Sequence, residues 1–175
     1  MKIQIGVIGP AKTELLPDRK INILKIAEKI GEMLAEKNVA VITGGTDGIM
    51  EAVFKGVKKK NGITIGTPGR KRFGSNKYTD IEILTPMDIG NFLFTGISSC
   101  DSIIVIPGGA GTMSELCLAY RNKKPLIILK NINKDYDKLI GKYLDLKKLI
   151  RLFGADTPKE AVKLAIKLAR GNRNE

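Results

Sequence analysis

Hydrophobic and polar positions along this chain form two patterns that alternate from one end to the other. Short apolar runs rich in β-branched residues indicate buried strands, at residues 3–8, 39–43, 63–66, 81–84, 102–106 and 125–129. Between them, apolar residues recur at helical spacing, as at Ile23, Ile26, Ala27, Ile30 and Leu34. This periodicity predicts helices at residues 19–37, 49–59, 88–99 and 158–170, with helical character also at 116–121.

An alternation of hydrophobic strands with amphipathic helices is typical of a mostly parallel sheet that carries helices on both faces. We therefore predict an α/β protein with three layers. A length of 175 residues suits one domain over residues 1–175, and we find no repeat, linker or low-complexity tract. Thr157, with Glu160 three residues later, is predicted to cap the last helix.

A glycine-rich turn, P-G-G-A-G-T-M-S-E at residues 107–115, follows an apolar run and precedes a helical segment. Its three glycines can adopt positive φ and leave no side chain between the backbone amides and a ligand. The first amides of the helix have no intrahelical partner and lie at the positive end of its dipole. We therefore predict that this turn binds the phosphate of a nucleotide-like ligand, through Gly108, Gly109, Ala110, Gly111 and Thr112.

An alternative interpretation of the same turn is structural. Thr112 and Glu115 have the S/T-x-x-E spacing of a capping box, in which both side chains satisfy amides at the helix start. Such a cap is worth roughly 0.5–2 kcal/mol and implies no chemistry. It does not require three glycines, and this favours the ligand-binding interpretation.

A second glycine turn follows the strand predicted at residues 39–43. Because both turns fall at the carboxyl ends of strands, where ligands of parallel sheets bind, we predict that they meet at one crevice. The residues predicted to contact the ligand here are Gly44, Gly45, Thr46, Asp47 and Gly48, with Gly9 after the first strand. Each also has a structural interpretation, because the glycines could shape tight turns and Asp47 could cap a helix.

The formal net charge of +12 and the isoelectric point near 9.7 raise the question of a nucleic-acid partner. Positive charge is densest at Lys55, Lys58, Lys59, Lys60, Arg70, Lys71, Arg72 and Lys77. Only Phe73 and Tyr78 lie among these residues, so a stacking platform is weakly supported, and the other lysines have acidic neighbours. The pattern argues against nucleic acid. Abundant lysine and isoleucine, with no tryptophan and no histidine, are typical of a protein from a hot environment.

What the chain lacks excludes several classes of protein. With no histidine, and with Cys100 and Cys117 far apart in sequence, we expect no metal site and no Ser–His or Cys–His dyad. No apolar stretch approaches the roughly 20 residues that cross a bilayer, and the first residues form a strand rather than a signal peptide. We therefore expect a cytoplasmic protein with no membrane partner.

Two motifs give the chain a resemblance to a known group. Residues 43–52, T-G-G-T-D-G-I-M-E-A, resemble the G-G-x-x-G-x-M-x-A turn of the LOG (LONELY GUY) superfamily, and residues 107–115 match its P-G-G-x-G-T-x-x-E hallmark. The similarity extends from Ile3 to about Leu129, and is greatest to the branch near the molybdenum-cofactor carrier proteins. It implies a Rossmann-like fold, a homodimer or larger homo-oligomer, and a phosphate site built from both glycine turns.

LOG enzymes cleave nucleoside 5′-monophosphates at the N-glycosidic bond, releasing the free base and ribose 5-phosphate. The resemblance implies that Glu115 is the catalytic carboxylate, acting with an arginine on the helix before the motif strand. Residues 81–106 contain no arginine or lysine, and where the arginine would lie the chain offers Asn91, a candidate ligand contact. A cation such as Arg72 or Lys77 would have to replace it.

The sequence therefore supports two functions. Glycine turns without the catalytic arginine favour a binding protein or carrier for a phosphorylated ligand, either a nucleoside monophosphate or a pterin-type, molybdopterin-like cofactor. The alternative is a phosphoribohydrolase of LOG type that uses Glu115 with another cation.

Overall fold

The computed structural model describes residues 1–15, 17–70, 72–85 and 95–171. Its centre is a seven-stranded sheet made of β1 (Gln4–Ile8), β2 (Ala40–Thr43), β3 (Ile63–Gly66), β4 (Ile81–Glu82), β5 (Ser102–Val105), β6 (Leu126–Leu129) and β7 (Phe153–Ala155). The strand order is β4-β3-β2-β1-β5-β6-β7, and every pairing in it is parallel. The predicted α/β fold is confirmed.

The helices are α1 (Pro17–Glu36), α2 (Ile49–Lys59), α3 (Ala110–Arg121), α4 (Lys134–Asp137) and α5 (Pro158–Gly171), with 3-10 turns at Lys12–Glu14 and Thr95–Ser99. One apolar core joins the sheet to α1, α2 and α5 and contains Val7, whereas the core on the α3 side contains Ile8. Neighbouring residues of β1 thus enter opposite cores, as the two-residue period of a strand requires. Within the described ranges, no helix is long and apolar enough to span a bilayer.

The central strand of the sheet is β1, which pairs with β2 on one side and β5 on the other. Ile5 lies beside Val41 of β2 and beside Ser102 of β5. Strands β2, β3 and β4 follow one another toward one edge of the sheet, and β5, β6 and β7 follow one another toward the other edge. The direction in which successive strands are added therefore reverses at β1. Ligands of parallel α/β sheets bind outside the carboxyl end of such a strand. The loops that follow β1, β2 and β5 surround this position.

Most element ends differ from the predicted ones by only a residue or two. Helix α3 is longer than predicted, because it begins inside the glycine turn. The pattern misses α4 and β7, which are too short to show a period. Of the helix predicted at 88–99, residues 88–94 lie outside the described residues and Thr95–Ser99 is a 3-10 turn. The cap of α5 is confirmed, since the Glu160 amide donates to Thr157 Oγ1 at 3.2 Å.

Candidate functional site

Three loops meet at the carboxyl end of β1: the turn at Pro10, the first corner (residues 44–48) after β2, and the second corner (residues 108–112) after β5. A Cβ on Gly48 would lie 2.6 Å from the carbonyl oxygen of Pro10, and a Cβ on Gly108 would lie 2.9 Å from Pro10 Cδ. Both corners therefore pack directly against Pro10, one from each side of the central strand. Glycine is required at these contacts because any side chain would collide with the Pro10 turn.

Gly9 lies between the elements that carry the two corners. A Cβ at this position would lie 3.0 Å from Ile49 Cγ2, at the start of α2, and 3.1 Å from the carbonyl oxygen of Ile106. The small size of Gly9 therefore allows α2 and the end of β5 to approach each other over β1.

Several polar groups in and beside the first corner form hydrogen bonds inside the protein. The Gly45 amide donates to Thr43 Oγ1 at 2.9 Å, and the Ile49 amide, the first of α2, donates to the Pro10 carbonyl at 3.1 Å. The Asp47 carboxylate accepts the amide of Lys12 at 3.0 Å. Asp47 does not cap α2, whose N-cap is Gly48 with φ 64° and no side-chain cap. The first corner is thus bonded to the loop that follows β1.

Asn76 also holds the first corner in place, a role that the sequence did not predict. Its side-chain Nδ2 donates to the carbonyl oxygens of Gly45 and Thr46, both at 2.8 Å, and its amide donates to the Gly45 carbonyl at 2.6 Å. The Thr46 hydroxyl donates to Met50 Sδ at 3.5 Å. An isolated asparagine in a loop has no periodic signal by which its role could have been recognised.

The second corner forms the open amino end of α3. This helix begins at Ala110 with Gly109 as its N-cap, without a side-chain cap, and its first hydrogen bond runs from the Met113 amide to the Gly109 carbonyl. The amides of Ala110, Gly111 and Thr112 therefore have no acceptor within the helix. Gly109 and Ala110 are exposed, so these donors lie close to solvent.

The capping-box interpretation of this corner is wrong, because Thr112 lies inside α3 rather than at its N-cap. The residue is 2% exposed, and Thr112 Oγ1 has no hydrogen-bond partner among the described residues. It lies 2.5 Å from the position that a Cβ on Gly108 would take, so the hydroxyl faces the corner itself. A buried, unpaired hydroxyl beside open helix amides suits an incoming anion better than a closed cap.

Two side chains that the sequence did not single out border the second corner. Glu14, at the end of the 3-10 turn, places Oε1 3.2 Å from the position of a Cβ on Gly109. Tyr136 of α4 donates its hydroxyl to the Gly109 carbonyl at 3.3 Å. Burial raises the pKa of Tyr136 to about 12, despite a hydrogen bond with the backbone of Gly108, so the phenol remains a donor at neutral pH. Neither residue belongs to a recognisable motif.

The residues predicted for catalysis lie on separate elements, with Glu115 on α3 and both Arg72 and Lys77 in the loop between β3 and β4. Glu115 is 6% exposed on α3, one turn beyond the open amides, and its charge contributes to the raised pKa of Tyr136. Arg72 and Lys77 are exposed, with the Arg72 guanidinium 5.1 Å from the Phe73 ring and the Lys77 ammonium 5.2 Å from the Tyr78 ring. Asn91 lies outside the described residues.

The lysine-rich segment of α2 is neutralised by acidic residues. Lys55 pairs with Glu28 at 3.0 Å, and Lys59 pairs with Glu28 and with Glu32. Hydrogen bonds from Lys59, followed by Lys55, hold the pKa of Glu28 below its usual value. Lys58 likewise pairs with Asp80 at 2.6 Å and Lys60 with Glu36 at 3.0 Å. These lysines stabilise contacts between elements instead of forming a free cationic surface.

A parallel sheet with glycine corners at the point where its strand order reverses defines a Rossmann-like α/β protein. The sequence model of the SLOG cluster4 family matches residues 2–162. The chain therefore belongs to the SLOG cluster4 family, in agreement with the family resemblance at this broader level.

Solved and curated relatives agree with this assignment. A protein of Archaeoglobus fulgidus is 36% identical over 128 residues, which cover 73% of this chain and 80% of the relative. The molybdenum cofactor binding protein of Rippkaea orientalis is 30% identical, with 96% and 98% of the two chains covered and a TM-score of 0.78. The Moco carrier protein of Chlamydomonas reinhardtii is 26% identical, with 98% and 99% covered and a TM-score of 0.80.

Proposed function

We propose that this protein binds a phosphorylated, nucleotide-like ligand at the second corner and acts as a carrier or binding protein. The ligand is a nucleoside monophosphate or a molybdopterin-type cofactor, and its phosphate accepts hydrogen bonds from the amides of Ala110, Gly111 and Thr112. The two similar structures whose names state molybdenum-cofactor binding or carriage support this class of ligand.

The observation that carries the proposal is the unpaired hydroxyl of Thr112. A buried polar group without a partner costs roughly 1–3 kcal/mol, a penalty that natural proteins rarely accept without a reason. A phosphate oxygen at the start of α3 would accept from this hydroxyl and from the neighbouring amides together. Burial of Thr112 and exposure of Gly109 and Ala110 thus describe a site that is completed by an anion from solvent.

The first corner forms the opposite wall of the crevice in this proposal. The predicted contacts of Gly9, Gly44, Gly45, Thr46, Asp47 and Gly48 remain part of it. The amides of Gly45 and Ile49 already have acceptors, whereas the second corner combines the first amides of α3 with the unpaired Thr112 hydroxyl. The phosphate is therefore assigned to the second corner and the organic part of the ligand to the space between the corners.

A phosphoribohydrolase of LOG type is the second candidate, and the burial of Glu115 favours it. A carboxylate near the ribose could handle the attacking water. The absence of arginine and lysine from residues 81–106 weighs against it, because an oriented cation at a reacting centre is typically worth roughly a hundredfold or more in rate. The carrier function is therefore the better supported of the two. The homo-oligomer implied by the resemblance stays a prediction, which light scattering would test.

Two measurements test the proposal. Mass spectrometry of small molecules released from mildly purified protein should detect a nucleotide or a pterin, and calorimetry should detect binding of AMP. The variant Thr112→Val should weaken AMP binding about tenfold by removing the hydroxyl, whereas Thr157→Val, at the start of α5, should leave it unchanged. Absence of both a released ligand and AMP binding would contradict the proposal. Release of adenine from AMP that is lost in Glu115→Ala would instead establish the enzyme.

A further inference from the structure

We propose that Glu14 is an internal competitor for the anion site, a specificity-determining residue whose carboxylate covers the second corner until a phosphate displaces it. This inference rests on the proposed function, because it assumes that phosphate binds at the start of α3. It assigns a role to a residue outside the glycine motifs, and it implies that the site accepts a negatively charged group.

The position of Glu14 is set by backbone contacts close to the corners. Its amide donates to the Ala11 carbonyl at 3.0 Å, which closes the 3-10 turn, and the Lys12 amide is held by Asp47. The turn follows Pro10, against which both corners pack. The backbone of Glu14 is thereby fixed beside the site, while its side chain is exposed and can rotate into solvent.

The carboxylate lies over the open amino end of α3. Oε1 of Glu14 lies 3.2 Å from the position of a Cβ on Gly109 and 3.8 Å from that of a Cβ on Gly111. The amino end of the helix carries a partial positive charge, which favours a carboxylate here just as it would favour a phosphate. The carboxylate and a phosphate would occupy the same space beside the same positive helix end. A bound phosphate must therefore displace Glu14 or be repelled by it.

Glu14 does not complete the site that it covers. Thr112 Oγ1 remains without a partner among the described residues even though the carboxylate lies nearby. A permanent cap would satisfy the buried hydroxyl, whereas a phosphate, with more acceptor oxygens, could reach both the hydroxyl and the amides. Because the hydroxyl stays unpaired and the carboxylate is exposed, Glu14 occupies the place of the ligand only until the ligand binds.

The test compares Glu14→Gln with Glu36→Gln, using inorganic phosphate and AMP as probes. Glutamine keeps the size of the side chain and removes its charge, so phosphate and AMP should each bind roughly five- to tenfold more tightly to Glu14→Gln. Glu36 is exposed at the end of α1, just before β2. It therefore lies at the amino ends of the strands, whereas the corners lie at their carboxyl ends. Glu36→Gln removes the same charge and should change neither affinity by more than about twofold.

An unchanged or weaker affinity in Glu14→Gln would overturn the competitor role while leaving the proposed function intact. Failure of wild type and variant alike to bind phosphate and AMP, with no ligand released from the purified protein, would overturn both. A ligand-free measurement separates these cases: in NMR spectra at neutral pH, the Gly109 and Gly111 amide signals should differ between the wild type and Glu14→Gln, because the charge beside them is removed. Amides that show no such difference would overturn the contact itself.

Discussion

The two glycine corners have similar compositions and lie on either side of the same strand, yet their hydrogen bonds differ. In the first corner, the amide of Gly45 has an acceptor in Thr43, and Asn76 donates to the carbonyls of Gly45 and Thr46. In the second corner, the amides at the start of α3 have no acceptor within the helix, and Thr112 Oγ1 is buried without a partner in the described structure. The first corner is hydrogen-bonded to neighbouring loops, whereas the second contains a buried hydroxyl without a partner among the described residues.

This difference shows that glycine in a turn serves two separate purposes. At Gly48 it allows the chain to approach its own backbone, with φ 64° and atoms of the Pro10 turn 2.6 Å from a Cβ position. At Gly109 and Gly111 it keeps side chains away from the open amides, which are then accessible to an anion. Glycine content alone does not distinguish a structural corner from a binding corner. The hydrogen bonds that each corner makes with the rest of the protein do.

The largest effect on stability is expected from Gly48→Ala. Three backbone atoms of residues 10–12 lie 2.6 Å from the new Cβ, and positive φ disfavours alanine in any surroundings, so the free energy of unfolding should fall by about 3 kcal/mol. Gly69→Ala is the matched control, because Gly69 has φ 83° but nothing within 4 Å of its Cβ position. That variant should lose about 1 kcal/mol, from backbone strain alone.

Urea denaturation of the two variants measures both values. Equal losses would mean that the first corner relaxes freely around a side chain, and the contrast with the second corner would then rest on hydrogen bonds alone.

A pair of isosteric substitutions should change stability in opposite directions in the two corners. Thr43→Val removes the acceptor of the Gly45 amide and should lower the free energy of unfolding by about 1 kcal/mol. Thr112→Val removes a buried hydroxyl that lacks a partner, so the ligand-free protein should be as stable as wild type or more stable. Thermal unfolding of the ligand-free proteins measures this difference. A clear loss of stability in Thr112→Val would show that its hydroxyl is already satisfied, and that the second corner is not open.

The sheet could be predicted from the sequence because its signal is local. Buried β-branched runs and amphipathic helices are recognised from neighbouring positions. The glycine turns mark the ends of β2 and β5, and these turns meet at Pro10. The short elements α4 and β7 could not be predicted, because three or four residues do not show a period.

The contents of the site could be predicted only in part. The glycines and Thr112 form a motif, whereas Glu14, Asn76 and Tyr136 reach the corners from loops and turns distant in sequence. Their roles depend on which loops the fold brings together. The hydrogen-bond partners of each amide are also a property of the folded chain, so the sequence made the two corners look equivalent.

The smallest effect should be a loosening of the first corner in acid, through Glu82. Its carboxylate accepts the amides of Phe73 at 2.7 Å and Ser75 at 2.9 Å, and so orders the loop that carries Asn76. Although burial opposes ionisation, these hydrogen bonds hold the pKa of Glu82 below its usual value. The stabilisation is therefore complete above the pKa of a glutamate in the unfolded chain, about 4.3, and is lost as the pH falls through the lower pKa of the folded state. As the pH falls through this range, amide hydrogen exchange at Phe73 and Ser75 should accelerate in the wild type relative to Glu82→Gln, whose side chain cannot titrate. The Met113 amide of α3 should show no difference between the two proteins. An equal response of Met113 would mean that acid opens both corners as one unit, and the contrast between them would not extend to their stability.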